Sequence, residues 1–316
     1  MESDQFNKAF EIYSKIKNNI LSVFKGDPFN VDLLLGGYFT NGHILLEDYP
    51  GTGKTTLAKA LALSIQTDFK RIQFTPDLLP TDITGVNVFN VKEQNFYLQK
   101  GPVFTNILLA DEINRTTSRT QSALLEAMEE KQVTIDGTIY PLSEDFFVVS
   151  TLNPAELQGT YPLPESQIDR FALCFSLGYV SKEEEVEMLD MKNPSKPLED
   201  LKQCSTLDEV MIVRNALKEI KIDKDIKDFI VELVRRTRSY DGILIGASPR
   251  ASIGLQKLSK ILALSENKEF VTPDHVTRLA PYVLGHRLIF DQFVNDGEIK
   301  QIDIIDNIIK ETPIPK

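Results

Sequence analysis

The chain has 316 residues, 42% hydrophobic and 26% charged, which suffices to bury a sizeable core and to divide into two domains. A net charge of −11 excludes a broadly basic nucleic-acid-binding surface, though not a local basic groove. No apolar run approaches the ~20 residues that span a bilayer, and the opening Met1-Glu2-Ser3-Asp4 lacks the basic-then-apolar form of a secretion signal.

Apolar residues recur at helical spacing through Phe6, Phe10, Tyr13, Ile16, Ile20 and Phe24, so residues 3–24 are read as a helix that Lys25-Gly26-Asp27-Pro28 ends. A short helix from Val31 to Phe39 precedes an apolar strand at 43–47, a helix at 54–66 and a second strand from Phe69 to Phe74. Residues 84–100 read as a small β insertion. Ile107 to Ala110 form a buried strand that ends in Asp111-Glu112, and Thr117 to Glu130 a helix. Asp136-Gly137, between alternating residues, signals a tight hairpin. Buried strands follow at Phe146–Thr151 and Phe171–Ser176. Strands alternating with helices imply a mostly parallel α/β sheet. Ser181-Lys182-Glu183-Glu184 is a capping box, and from there only helical patterns are read, at about 183–191, 207–219, 223–240, 249–265 and 273–284. Residues 192–197 are linker-like, and the domain boundary is placed there or slightly before. Cys174 and Cys204 are read as free thiols in a reducing cytoplasm. The three scattered histidines offer no zinc spacing.

The richest stretch is Pro50-Gly51-Thr52-Gly53-Lys54-Thr55-Thr56, between a strand and a helix. Small residues there let backbone N–H groups curl around phosphate oxygens, and the helix N-terminus adds partial positive charge. Lys54 would reach the β- and γ-phosphates and the Thr55 hydroxyl would ligate Mg²⁺. The full pattern, G-x-x-x-x-G-K-[ST], places a glycine at position 48, where this chain has Asp48. Its charge, next to Glu47, is expected to oppose ATP.

Hydrolysis needs a placed Mg²⁺ and an activated water. Asp111, on a strand neighbouring the loop, would hold the ion, and Glu112 would orient or deprotonate the water, although two acids after a strand also suit a helix cap. Asn153, in Leu152-Asn153-Pro154, can touch the same water or serve as a turn former. Arg170 precedes the last strand. Arg250 lies in a first helical turn, where a cation opposes the helix dipole unless it faces an anion; either arginine can equally be a solvated surface residue.

Together these residues resemble the AAA+ ATPases of the MoxR group. The likeness is carried by Gly42-His43-Ile44-Leu45-Leu46-Glu47, Pro50 to Thr55, Asp82-Ile83-Thr84-Gly85, Leu109 to Arg115, Thr120 to Glu130, Tyr161-Pro162-Leu163-Pro164-Glu165 and Gly246-Ala247-Ser248-Pro249-Arg250. The resemblance implies an αβα P-loop NTPase core with a five-stranded parallel sheet over 1–180 and an all-helical lid over 181–316. It implies Lys54 and Thr55 in Walker A, Asp111 and Glu112 in Walker B, and Asn153 as sensor 1. Arg170 would be the arginine finger acting on a neighbour's ATP. Arg250 would be sensor 2, reaching the ATP of its own subunit. Residues 84–100 match the helix-2 insert, 131–142 the hairpin before sensor 1, and Val23 to Asp27 the adenine-contacting turn. Glycine at 53 in place of the family's alanine is read as harmless.

The family further implies a ring, a hexamer, that uses ATP and Mg²⁺ to mature client complexes, at times with a von Willebrand factor A domain partner. The alternative is a nucleotide-gated scaffold of negligible turnover, motivated by Asp48. Acidity argues against a helicase, and the Asp-Glu pair against a kinase.

Overall fold

A computed structural model describes residues 3–154, 161–190, 198–291 and 301–315. In chain order the elements are α1 (Ser3–Leu21), α2 (Pro28–Phe39), β1 (His43–Glu47), α3 (Lys54–Ile65), β2 (Phe69–Gln73), α4 (Pro80–Thr84), β3 (Gly85–Asn90), β4 (Asn95–Lys100), β5 (Ile107–Asp111), α5 (Ser118–Glu130), β6 (Gln132–Ile135), β7 (Thr138–Pro141), β8 (Phe147–Leu152), α6 (Glu165–Ile168), β9 (Phe171–Phe175), α7 (Lys182–Asp190), α8 (Leu207–Glu219), α9 (Lys224–Arg236), β10 (Ile243–Ile245), α10 (Pro249–Ser265), α11 (Pro273–Leu284), β11 (Ile289–Phe290) and α12 (Gln301–Glu311).

The central sheet is five-stranded and parallel, in the order β2-β5-β8-β1-β9. Its inner strands are buried along nearly their whole length and mostly apolar, because both faces are covered. On one face, Ile44, Leu46, Leu109 and Val149 pack in a core that runs through α1, α2 and α3 into the C-terminal helices. On the other, Leu45, Leu108, Ala110 and Val148 pack against Leu124, Leu125 and Met128 of α5 and Val133 of β6. The lid is therefore docked on the first face rather than hung from a linker.

Local rules account for most boundaries. Asp136 and Gly137 have φ of +48° and +78°, the paired positive torsions of the expected β6–β7 turn. Glu184 N–H donates to Ser181 Oγ at 3.2 Å while Ser181 N–H donates to Glu184 Oε2 at 2.9 Å, forming the expected capping box before α7. Pro249 opens α10 behind its Ser248 cap, and Pro273 opens α11 behind Thr272. The insert is the β3–β4 hairpin, with Phe89 and Phe96 paired at 5.1 Å.

Two sequence expectations are corrected. The region after 180 is not purely helical, because Ile243–Ile245 pairs antiparallel with Ile289–Phe290. Two and three residues are too few to leave a period in the sequence. The strand neighbouring β1 is β8, not β5, so Asn153 stands between the phosphate loop and Asp111-Glu112. The linker-like 192–197 lies outside the described residues.

Candidate nucleotide site and its distant arginines

Parallel strands deliver their C-terminal ends to one edge of the sheet, and that edge collects the first half of the site. Beyond β1, Asp48 N–H donates to Leu152 O at 3.1 Å, extending the β1–β8 ladder by one residue. The chain then turns through Gly51 at φ +88° and Gly53 at φ +90°. Both torsions lie in the left-handed region that glycine enters without strain. A Cβ at Gly53 would stand 3.3 Å from the Phe24 ring, so alanine there would be strained as well as crowded. Glycine is therefore the residue that suits position 53 in this backbone.

No side chain caps α3, which leaves its first-turn N–H groups, at Lys54, Thr55 and Thr56, as donors to an anion. Lys54 Nζ donates to Asp48 O at 2.9 Å and Tyr49 O at 3.0 Å, so its ammonium closes the loop on itself. Thr52 Oγ1 donates to Tyr49 O at 3.3 Å, and Pro50 is exposed beside it.

Asp48 does not face this loop. It is 3% exposed, and its carboxylate accepts from Ser176 Oγ at 2.8 Å, Leu177 N–H at 2.6 Å and Gly178 N–H at 3.2 Å. The expected repulsion of an anion assumed a carboxylate aimed at the phosphates. The structure turns it toward the chain leaving β9.

At the end of β5, Asp111 and Glu112 are held by neighbouring strands. The buried Thr151 hydroxyl, on β8, donates to Asp111 Oδ1 at 2.6 Å and accepts from Glu112 N–H at 2.8 Å. Arg71 NH2, on β2, donates to Asp111 Oδ2 at 2.6 Å. Glu112 sits at φ +58°, a strained torsion for a non-glycine residue. Its Oε2 accepts from Gln73 Nε2 at 2.5 Å and lies 3.3 Å from Arg115 NH1. Asn153 is 6% exposed at the end of β8. An uncapped helix start, two positive-φ glycines, a lysine and the hard oxygens of Thr55 and Asp111 make a donor set that fits a magnesium triphosphate.

The two arginines are elsewhere. Arg170 directly precedes β9, whose Phe171 pairs with His43 at the start of β1. His43 Nε2 in turn bonds Met128 O at 3.0 Å, which sets the end of α5 beside the start of that strand. There one carboxylate, Glu129, takes Arg170 Nε at 3.1 Å and Arg250 NH2 at 2.8 Å. Both arginines thus lie at the N-terminal end of the sheet. The four steps from His43 to Glu47 alone span about 13 Å at ~3.3 Å per residue. Arg250 does not reach its own phosphate loop from this position, which corrects the same-subunit placement implied by the resemblance. Arg170, Arg250 and Glu129 stay open to solvent, with side chains 30%, 48% and 37% exposed.

Residues 43–173 match the model for the ATPase family associated with various cellular activities (AAA), and residues 235–308 that of the AAA lid domain. The chain is 44% identical over 304 residues to the uncharacterised protein YeaC of Bacillus subtilis, covering 96% of this chain and 95% of that one. It is 36% identical over 303 residues to the chaperone MoxR1 of Mycobacterium tuberculosis, covering 93% and 80%. The chain belongs to the MoxR group of AAA+ ATPases. A crystallised protein of Cytophaga hutchinsonii superposes with a TM-score of 0.89 at 38% identity, covering 98% of each chain. The fold of this MoxR-group chain is therefore shared along nearly its whole length.

The MoxR-group lid is pinned where the arginines lie. Arg287, with a side chain 3% exposed, donates from Nε to Asp169 Oδ1 at 2.8 Å and from NH2 to Phe171 O at 2.5 Å. Burial lowers the pKa of its guanidinium while Asp169 opposes that shift. Asp169 also accepts from Ser248 Oγ, the cap of α10, at 3.2 Å, which places Arg250 next to Arg170. Sequence reasoning missed Glu129, Asp169, Thr151, Arg71, Gln73 and Arg287. Only Glu129 left a trace: an acid in the last turn of a helix opposes the dipole and invites a cation.

Proposed function

We infer that this MoxR-group chain is an ATP-hydrolysing, chaperone-like motor that works as a ring, a hexamer, and remodels or matures client protein complexes. The observation that carries this reading is the separation of Arg170 and Arg250 from the phosphate loop of their own chain, at an exposed edge with one shared carboxylate. Each chain then offers one half of a site at each end of its sheet, and a neighbour completes it. Both arginines act on the neighbour's nucleotide.

In this reading Pro50 to Gly53 and the first turn of α3 cradle the phosphates, and Lys54 leaves the loop carbonyls for the β- and γ-oxygens. Thr55 and Asp111 hold Mg²⁺, which when bound neutralises charge on the phosphoryl oxygens. Glu112 exchanges Gln73 for the attacking water and orients it, with Asn153 beside it. The arginines offset the negative charge of the transition state, a role that can change turnover by ~10³ or more. The exposed hairpin β3–β4 suits client contact, a von Willebrand factor A domain protein is a candidate partner, and nucleic acid is not required. The setting is the reducing cytoplasm.

The test is complementation. Arg170→Ala should lower kcat by about 10³-fold with nucleotide affinity unchanged. Mixing it with Asp111→Ala subunits should restore part of the turnover, because one interface then pairs an intact loop with an intact arginine. No recovery would overturn the shared site.

A further inference from the structure

Asp48 stands where the loop pattern has glycine, yet it is among the few buried charged residues of the described part of the chain, and its three hydrogen-bond donors all lie on one short segment. That segment, residues 176–180, is the connector from β9 to α7, the route by which the chain leaves the core. Gly178 enters it at φ +70°, and Leu177 O accepts from Asn30 Nδ2 at 3.3 Å. The next residues repeat the attachment: the Tyr49 ring stacks on Tyr179 with centroids 6.4 Å apart and planes 8° apart. Beyond the connector, α7 is tied to the turn after α1, where Glu184 Oε1 accepts from Gly26 N–H at 3.2 Å and Glu187 pairs with Lys25 at 3.0 Å.

We propose that Asp48 is a positioning residue that fastens the phosphate loop to the core–lid connector, so that the loop and α7 move as one piece. The backbone carbonyl of Asp48 holds the Lys54 ammonium, while its carboxylate holds Ser176, Leu177 and Gly178. One residue therefore bears on the cation that binds phosphate and on the strap that carries the lid. A glycine at 48 would keep the carbonyl and lose the strap, leaving the Leu177 N–H and the Ser176 hydroxyl without their acceptor and the Gly178 N–H with Ser176 Oγ alone, at 3.2 Å. The tether itself stands on the observed hydrogen bonds; its coupling to nucleotide rests on the proposed phosphate site.

Hydrogen–deuterium exchange on the full chain tests both parts. Without nucleotide, Asp48→Gly should speed exchange of the Leu177 and Gly178 amides by about tenfold. Ser176→Ala alters no residue of the phosphate loop, yet by reciprocity should speed exchange of the Gly51 to Lys54 amides about threefold. With magnesium and ATPγS, wild type should gain protection across 176–190, and Asp48→Gly should lose most of it even at saturation. Unchanged connector exchange in Asp48→Gly, or an unchanged loop in Ser176→Ala, would overturn the tether. Full protection of 176–190 in nucleotide-saturated Asp48→Gly would overturn the coupling. Tighter binding of a fluorescent ATP with unchanged exchange would show that the carboxylate acts on phosphate charge instead. If wild type bound no nucleotide, the proposed function and the coupling would fall together, and the two nucleotide-free arms would still decide the tether.

Discussion

The two ends of the central sheet are built on different plans. At the C-terminal ends of β1, β5 and β8 the chemistry sits on short, consecutive stretches, with loop glycines at φ +88° and +90° and acids fixed from the neighbouring strands. At the N-terminal end, Glu129, Asp169, Arg170, Arg250 and Arg287 come from four separate segments and meet through ion pairs and hydrogen bonds between them. The first end is a site that local sequence can build. The second is a cluster that docking of the lid completes.

Predictions sharpen this contrast. Glu112→Gln touches only the first end: it should lower kcat by on the order of 10²–10⁴ and leave affinity in place. Equal loss of binding and turnover would show that Glu112 holds the loop rather than the water. Arg287→Ala attacks the second end. It leaves the half-buried Asp169 with only Ser248 Oγ and the more distant Arg250, at 3.8 Å, and should cost about 3 kcal/mol in urea unfolding. A cost below ~1 kcal/mol would mean that the lid is held by its apolar contacts alone.

His43 joins the two ends through β1. Val148 N–H donates to its Nδ1 at 3.0 Å, and burial lowers its pKa from 6.5 to about 4. As pH falls, the unfolded chain takes up the proton first. The imidazole therefore contributes stability that is present above pH ~6.5 and lost as pH falls toward about 4, by about 3 kcal/mol at most. His43→Gln should flatten that part of the curve of urea midpoint against pH; an unchanged slope would assign it to other groups. The smallest effect is expected of Glu129→Gln. It weakens two exposed pairs, should leave stability within about 1 kcal/mol, and should change turnover by about threefold through freer arginines. A loss of stability as large as that of Arg287→Ala would make Glu129 structural.

Much of the first end was legible. The strand at 43–47, the phosphate loop, the hairpin at Asp136-Gly137 and the caps at Ser181, Ser248 and Thr272 each follow from residues within a few positions of one another. The β10–β11 pair left no signal because its strands are short and far apart in sequence. α12 was also missed, although its isoleucines at 304, 305, 308 and 309 fall at helical spacing. Asp48 was read with the right chemistry and the wrong direction, because the position of a side chain in a motif does not say which way it points.

The sequence by itself determined the parallel α/β core, the phosphate cradle and the carboxylate pair after β5, since torsional preference, periodicity and motif spacing act over a few residues. Only the tertiary structure decided that Asp48 faces the connector, that β8 separates β1 from β5, and that Arg170 and Arg250 share Glu129 at the far end of the sheet. Those facts depend on strand order and on where the lid docks. Long-range burial and ion pairing set both, and neither leaves a local pattern in the chain.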